Sequence, residues 1–334
     1  MPMSKTVPDA PPDLWGQKIY AQFLGEIDPF EDHEHFRPLD RAYTGDNTFW
    51  TVPSPEPRLS DAFWKRVAAH LDDEKIQEAG RCLAEAVSRW EPQGDHLVFA
   101  AILRAGVPVA DWLCRFFPGA KAAALSLFVG LGIDGAALDA LRRRHPKRKI
   151  VFVDGWTGRG GVARAISGLG MGPLAVLIDP WGWADFSGTR EDLFCPTACF
   201  TGVATLGFSR TFFVDRTRLF GAYRFPGRYC RGALVKAWQD LWPGMGSTGG
   251  VRRPRPRRFF RETSLRIHAN EVCRALINAA PERLLFLDPA DVAKRLYPLL
   301  PDLAERRKVP VQYGVGRIAD LGTRVACTLK STGA

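Results

Sequence analysis

The chain has 334 residues, of which 46% are apolar and 25% are charged, fractions typical of a globular protein rather than a disordered or fibrous one. Its length predicts two domains. No run of about 18 apolar residues suggests a membrane span, and prolines and acids near the start replace the apolar segment of a signal peptide. Seven cysteines, an odd number without paired CxxC motifs, argue against a disulfide framework or a four-cysteine zinc site. We therefore expect a soluble, cytoplasmic protein without a membrane partner.

The formal net charge of +10 is concentrated at one end of the chain. Residues 251–334 carry 17 Lys and Arg against 8 Asp and Glu, a surplus of +9. Such a surplus favours a polyanionic partner for that end, although a basic run is also compatible with a solvated surface.

From the start of the chain, residues 1–57 are rich in proline, aromatic residues and acids, and we expect an N-terminal arm there. An amphipathic helix is predicted over 60–90, where apolar residues recur at spacings of three and four. Continuous apolar strands at 96–102, 122–129, 149–153 and 174–178 then alternate with helices near 107–117, 135–144 and 161–168. This alternation predicts an α/β domain over 58–242 with a parallel sheet covered on both faces.

Residues 243–261 combine glycine, proline and six arginines, which predicts an interdomain linker. Beyond it, helices are predicted at 270–278, 289–300 and 302–308, and strands at 284–287, 309–313 and 323–329. This order suits a small α/β sandwich domain over 262–334.

The strongest motif is the segment IVFVDGWTGRGGVARAI at 150–166, in which a buried strand ends at Asp154 and a glycine-rich turn leads into a helix. Backbone N–H groups in such a turn, followed by a helix N-terminus, form a cradle for a phosphate, and the acid is placed to accept hydrogen bonds from ribose hydroxyls. The alternative is a tight turn without a ligand. The candidate ligand-binding residues of this turn are Gly155, Thr157, Gly158, Arg159, Gly160 and Gly161.

This motif resembles the diphosphoribosyl-binding motif of type I phosphoribosyltransferases. A second segment, Leu103, Arg104, Ala105 and Gly106 after the first strand, resembles the ILRAG loop that holds the diphosphate leaving group in uracil-type members. The alternative for this loop is an arginine at a strand end without a ligand role. The resemblance implies a phosphoribosyl diphosphate-like substrate with Mg²⁺ carried by the diphosphate, and Asp154 and Arg104 as the catalytic residues. Asp154 is also a possible protein ligand of that metal.

Over roughly residues 90–334 the chain resembles the phosphoribosyltransferase family found with tellurite-resistance and stress-response genes, whose members are often named "cysteine protease StiP". The segments that carry this resemblance are VGLGID at 129–134, FVDGWTGRG at 152–160, TREDLFCP at 189–196 and GFSRT at 207–211. Three positions depart from the common motif: Gly155 replaces its second acid, and Gly158 and Arg159 replace its two threonines. Arg159 places a permanent cation where the 5′-phosphate is expected.

The C-terminal domain opens with IHANEVCRAL at 267–276, which resembles the start of the RNA-contacting helix in the ribosomal L7Ae and Pelota families. The resemblance implies RNA contacts by Asn270, Glu271 and Arg274. The alternative is that Asn270 and Glu271 only stabilise a helix N-terminus.

Three classes of function remain open from the sequence. One is phosphoribosyl transfer or a related nucleoside-processing step, and a second is a degenerate phosphoribosyl-metabolite sensor with RNA binding. The third is a cysteine hydrolase, which needs a histidine near Cys195 or Cys199; the alternative for both cysteines is a buried apolar role. Trp181 and Trp183, just after the fourth strand, are candidates for stacking on a base or for the core.

Overall fold

The computed structural model describes residues 17–37, 51–71, 74–215, 219–229, 232–240 and 264–330. The predicted linker at 243–261 and much of the predicted arm therefore lie outside the described residues. None of the helices in the described ranges is long and apolar enough to cross a membrane.

The centre of the molecule is a six-stranded sheet in which every neighbouring pair of strands is parallel. In spatial order its strands are β1 (Lys18–Ile19), β4 (Lys121–Leu125), β3 (Leu97–Ile102), β7 (Lys149–Trp156), β8 (Leu174–Ile178) and β9 (Phe186–Thr189). The inner strands are buried on both faces, which explains their continuous apolar sequence. The predicted α/β fold with a parallel sheet is confirmed.

Helices cover both faces of this sheet, and alternate strand residues point to opposite faces. One face carries α1 (Asp61–Ala69), α2 (Glu74–Trp90) and α3 (Gly106–Phe116), and the other carries α4 (Gly135–Arg144) and α5 (Gly161–Leu169). Phe99 of β3 thus packs on the first face, whereas Val98 packs on the second. The helix predicted over 60–90 is two helices, α1 and α2.

Several short elements complete the main part of the molecule. They are the parallel pair β2 (Gln22–Glu26) and β10 (Gly221–Arg224), the hairpin β5 (Leu127–Phe128) and β6 (Gly132–Ile133), the helices α6 (Gly202–Thr205) and α7 (Gly232–Asp240), and a 3-10 helix (Pro196–Ala198). The N-terminal segment is more than an arm, because β1 pairs with β4 as a strand of the central sheet.

The C-terminal part contains a four-stranded mixed sheet in the order β11, β14, β12, β13. Its elements in chain order are β11 (Leu265–Ile267), α8 (Ala269–Asn278), β12 (Pro281–Phe286), α9 (Ala290–Leu296), α10 (Leu299–Arg306), β13 (Val311–Gln312) and β14 (Val325–Leu329). The β12 and β13 strands are parallel, and the other two pairings are antiparallel.

Helix α8 packs toward the central sheet, so the two parts share a core. One contiguous cluster of buried side chains contains Val272 and Leu276 of α8 together with Leu83 of α2 and Phe99 of β3. We call the contact between α8 and residues 193–200 the seam.

Candidate functional site

Two residues singled out by the sequence lie at the same edge of the central sheet. Asp154 is near the carboxyl end of β7, and Arg104 follows β3, the neighbouring strand. The register pairs Ala101 with Val153, so the end of β3 lies beside Asp154, while β7 continues to Trp156. Ligands of open parallel sheets bind at this edge.

The Asp154 side chain is partly buried near the end of β7. Its Oδ1 accepts a hydrogen bond of 2.7 Å from the Gly155 N–H. Burial raises the pKa of Asp154 to about 7, while the Gly155 N–H and the Arg274 guanidinium act in the opposite direction. Near neutral pH this carboxyl group therefore exchanges between its neutral and charged forms.

The missing second acid of the motif has a steric explanation. A Cβ on Gly155 would lie 2.5 Å from the Thr197 Oγ1, so no side chain fits at this position without movement of Thr197. Thr197 is itself 1% exposed, in the 3-10 helix that follows Cys195. The site thus holds a hydroxyl group where the common motif has a carboxylate.

Arg104 forms an ion pair that the sequence did not predict. Its Nη1 lies 2.6 Å from Glu56 Oε1, and both side chains are almost fully buried. The same nitrogen lies 3.3 Å from the Phe208 carbonyl oxygen, and the second Glu56 oxygen accepts from the Gly202 N–H at 3.2 Å. Arg104 is therefore held in place by two segments that are distant in sequence.

The rest of the predicted diphosphate loop is fixed by packing. The Leu103 N–H donates to the Leu125 carbonyl oxygen at 3.0 Å, and Ala105 borders Gly155. A Cβ on Gly106 would overlap the Val153 carbonyl oxygen, so this position needs glycine to let α3 begin against β7.

Two further arginines lie close to Arg104. Arg210 Nη2 donates to the Val52 carbonyl oxygen at 3.1 Å, and Arg274 Nη1 donates to the Phe200 carbonyl oxygen at 3.3 Å. Burial lowers the pKa of Arg210 and of Arg274 to about 10, and the positive charge of Arg104 adds to the effect at both. Three guanidinium groups thus share one poorly hydrated region.

The glycine-rich turn is covered by side chains of the chain itself. Thr157 Oγ1 donates to Asp179 Oδ1, and the Thr157 N–H donates to the Ile178 carbonyl oxygen at 2.9 Å. Gly160 has a φ of +78° and lies against the ring of Trp183, while a Cβ on Gly161 would lie 2.9 Å from Val129. These contacts explain why two positions of the turn are glycine.

At the other end of the turn lies a carboxylate from the C-terminal part. A Cβ on Gly158 would overlap the Glu271 carboxyl group, and the Arg159 N–H donates to Glu271 Oε1 at 3.2 Å. Glu271 Oε2 is buried and has no hydrogen-bond partner in the described part of the chain. The Arg159 side chain donates to the Leu265 carbonyl oxygen at 3.1 Å.

The residues expected to contact RNA are engaged in the seam. Asn270 is 1% exposed; its Oδ1 accepts from the Cys195 N–H at 2.7 Å and its Nδ2 donates to the Leu193 carbonyl oxygen at 2.9 Å. With Glu271 against the glycine-rich turn and Arg274 near Arg104, all three point toward the central sheet. The alternative of an Asn270 helix cap is wrong, because His268 occupies the N-cap position and Asn270 lies inside α8.

The two candidate nucleophilic cysteines have the wrong surroundings for thiolate chemistry. Burial raises the pKa of Cys195 to about 11 and that of Cys199 well above its usual value. Cys195 Sγ contacts Thr197 Oγ1 at 3.1 Å, and Cys199 Sγ contacts the Pro196 carbonyl oxygen at 3.0 Å. All six histidines lie in the described ranges, and none forms a hydrogen bond with either sulfur.

The buried histidine His268 has a different partner. Its Nδ1 lies 3.3 Å from Asp192 Oδ2, and its ring meets the Trp181 ring edge to face at 5.5 Å between centroids. Trp181 and Trp183 are each 6% exposed, which agrees with the core alternative rather than with stacking on a ligand.

Comparison of the sequence with known proteins identifies a family that the chain matches. The family described as "Tellurite-like stress resistance cysteine protease StiP" matches residues 44–230, more than half of the chain. A curated relative from Acinetobacter baylyi, named "Cysteine protease StiP", is 29% identical over 150 residues. That match covers 39% of this chain and 39% of the relative's length.

Proposed function

The chain belongs to the StiP family of tellurite-like stress resistance, and from this premise we propose that it binds phosphoribosyl diphosphate or a related nucleotide. The function would be a phosphoribosyltransferase-like step in nucleoside or RNA-linked metabolite processing of a stress system. The observation that carries the proposal is the pair formed by Asp154 and Arg104 at the ends of adjacent parallel strands.

In this proposal the two residues act on different parts of the ligand. Arg104 stabilises the negative charge on the diphosphate as the bond between that group and the ribose C1′ breaks. Asp154 accepts hydrogen bonds from the ribose hydroxyls. A nucleophilic acceptor then forms the new bond to C1′, and the diphosphate leaves with the electron pair.

Magnesium would enter with the diphosphate rather than occupy a site built by the protein. At the end of β7 the motif contributes one carboxyl group, that of Asp154, and Thr197 fills the position of its second acid. The described residues contain no group of three or more His, Cys, Asp or Glu side chains suited to a metal. The site therefore has too few metal-ligating side chains to hold Mg²⁺ unless phosphate oxygens of the bound substrate supply further ligands.

The finer fold assignment belongs to the same proposal. We assign the central sheet to the type I phosphoribosyltransferase kind and residues 264–330 to a Pelota/L7Ae-like domain. Two observations support these assignments. The central sheet is parallel and has the candidate ligand-binding turns after β3 and β7, and the C-terminal part combines a mixed four-stranded sheet with α8 to α10. An RNA partner stays a prediction that rests on the sequence alone.

Two observations weigh on the alternatives. The raised thiol pKa values of Cys195 and Cys199 speak against a cysteine hydrolase, although the family is named for a cysteine protease. Thr197 over Gly155 and Glu271 against the glycine-rich turn favour a sensor that binds without turnover, because both reduce the contacts available to ribose and phosphate.

Calorimetric titration of the full chain with phosphoribosyl diphosphate and Mg²⁺ tests the proposal. We expect binding by the native protein and an affinity loss of more than tenfold in Asp154→Asn, because a charge-assisted hydrogen bond is worth roughly 1.5–3 kcal/mol. The exposed Asp139 on α4 provides the matched control Asp139→Asn, which should bind normally. No binding by the native protein would contradict the proposal.

A further inference from the structure

A second concave surface lies at the amino edge of the central sheet, opposite to the candidate site. It is a cleft of about 690 Å³ formed by the start of β7 and the ends of α4 and α5. Lys149 at the start of β7 lines this cleft, and Asp154 lies five residues further along the same strand. The rise of a strand separates these two residues by roughly 17 Å. The cleft is therefore distinct from the residues assigned to the phosphoribosyl ligand.

The lining of this cleft is strongly basic. Residues 142–149 have the sequence RRRHPKRK, which contains six Lys and Arg and no acid. The basic side chains that line the cleft are Arg142, Arg143, His145, Arg148 and Lys149, and no acidic side chain lines it among the described residues. The formal net charge of the chain is +10, and residues 251–334 account for +9, so the first 250 residues are almost neutral. The basic segment is thus a local feature and not a share of a general surplus in the main part.

Two of these cations are available to a partner. Lys149 forms an ion pair with Glu91, whereas Arg142 and Arg143 are exposed and form no ion pair with an acid of the described ranges. Arg148 Nη1 donates to the carbonyl oxygens of Leu97 and Gly119, each at 2.9 Å, and so fixes the segment against the sheet. Cations in the last turn of α4 also interact favourably with the helix dipole. That interaction explains their position in the sequence but not the cleft beside them.

An exposed tryptophan lies at the same cleft. Trp90 is 39% exposed, whereas Trp112, Trp181 and Trp183 are buried. Its ring centroid lies 5.7 Å from that of Phe186 and 5.4 Å from Lys149 Nζ. The ring is therefore held by a side chain of β9 while part of its surface faces solvent beside the basic segment.

We propose that this cleft binds single-stranded RNA, with phosphate groups on Arg142 and Arg143 and a base on Trp90. A positively charged groove combined with an aromatic side chain is the arrangement by which proteins hold single strands. Unpaired bases of RNA stack on such rings, whereas bases inside a duplex do not. An anionic membrane would use the arginines but has no base for the tryptophan. This inference does not depend on the proposed function, and it places RNA on the main part rather than on α8, whose polar residues are engaged in the seam.

Fluorescence anisotropy of the full chain with a labelled oligouridine of about ten nucleotides tests the two arginines. Each phosphate contact to a single strand contributes about 0.7 to the slope of log affinity against log salt concentration. We therefore expect the double variant Arg142→Ala/Arg143→Ala to reduce this slope by about 1.4 and to weaken binding more than tenfold at ~0.1 M salt. The matched control Lys65→Ala/Lys236→Ala removes two exposed cations of α1 and α7 and should bind as the native protein does.

The tryptophan has a separate signature in the same titrations. Trp90→Ala should weaken binding at least about fivefold without a change in the salt slope, because stacking involves no counterion release. Trp90→Phe keeps an aromatic ring and should lose less.

The thermal unfolding midpoint shows whether the variants are folded, and it should not change in Arg142→Ala/Arg143→Ala because both side chains are exposed. An unchanged affinity and slope in this variant, or an equal loss in the lysine control, would contradict the cleft as the RNA site. Absence of RNA binding by the native protein even at low salt would contradict it as well. Binding to vesicles of anionic lipid in preference to oligouridine would show that the basic segment contacts a membrane surface, and the RNA proposal would be wrong.

Discussion

Asp154 is a group whose charge state depends on the fold. Its ordinary pKa of 3.8 rises to about 7 because the folded chain removes water from the carboxyl group. Arg274 limits this rise, so the charge of Asp154 is linked to the position of a residue from the C-terminal part.

The raised pKa of Asp154 predicts a defined dependence of stability on pH. Between about pH 4 and pH 7 the folded state holds the proton and the unfolded chain does not, so the free energy of unfolding falls as pH rises through this window. At pH 8 we expect Asp154→Asn to be more stable than the native protein by roughly 1–3 kcal/mol, and near pH 4 the difference should vanish. Urea unfolding at several pH values measures this, and parallel curves for the two proteins would contradict it.

For single residues, the sequence predicts which site residues lie on adjacent strands better than it predicts site residues that come from distant segments of the chain. Asp154 and Arg104 come from motifs that end two strands, and parallel strands bring such ends together. Glu56, Thr197 and Arg210 reach the site from two loops and a short 3-10 helix that are far away in sequence. The acid of the PSPEPR segment and the arginine of GFSRT carry no local pattern that indicates their roles.

Among the elements, helix α8 shows how a correct helix prediction can miss the partner. The predicted span 270–278 differs by one residue from the observed Ala269–Asn278. The spacing of apolar residues in a helix predicts which face is buried, but not which part of the protein packs against that face. Here that surface is the seam, and polar residues of α8 enter the candidate site of the main sheet.

The contact of Glu271 with the glycine-rich turn predicts competition with a phosphate. Glu271→Gln keeps the oxygen that accepts from the Arg159 N–H and removes the negative charge. We expect ribose 5-phosphate to bind this variant about tenfold more tightly, equivalent to ~1.4 kcal/mol, because a like charge at the turn is lost. Calorimetry measures the change. The control is Glu282→Gln at an exposed acid of β12, and equal affinities in both variants would show that phosphate does not use the turn.

The shortest elements are the ones that the sequence missed. Strands β1, β10 and β11 have two to four residues each, too few for a periodic pattern to indicate a strand. Their pairings join segments far apart in sequence, such as β1 with β4. Long apolar strands such as β8, by contrast, were predicted with the observed bounds.

On the scale of the whole molecule, the seam buries three cysteines from both parts of the chain. Cys195 and Cys199 precede and follow the 3-10 helix, and Cys273 lies on α8. All three are fully buried, and burial raises the pKa of Cys273 to about 12.

These thiols should react with iodoacetamide only when the seam opens. At pH 8 we expect Cys82, which is partly exposed on α2, to be alkylated well before the three seam cysteines. Mass spectrometry of the digested protein over time gives the order. Labelling of Cys195 as fast as Cys82 would indicate an accessible, activated thiol and would revive the cysteine hydrolase alternative.

The shared core also determines how the two parts of the chain unfold. Because Val272 and Leu276 belong to the same buried cluster as Leu83 and Phe99, the C-terminal part cannot separate without exposing apolar surface of the main sheet. The two parts should then unfold as one cooperative unit rather than as two independent domains. Truncation after residue 261 would therefore remove Arg274 and also expose apolar surface of the main sheet, which favours aggregation. Loss of activity in such a fragment would then say little about catalysis.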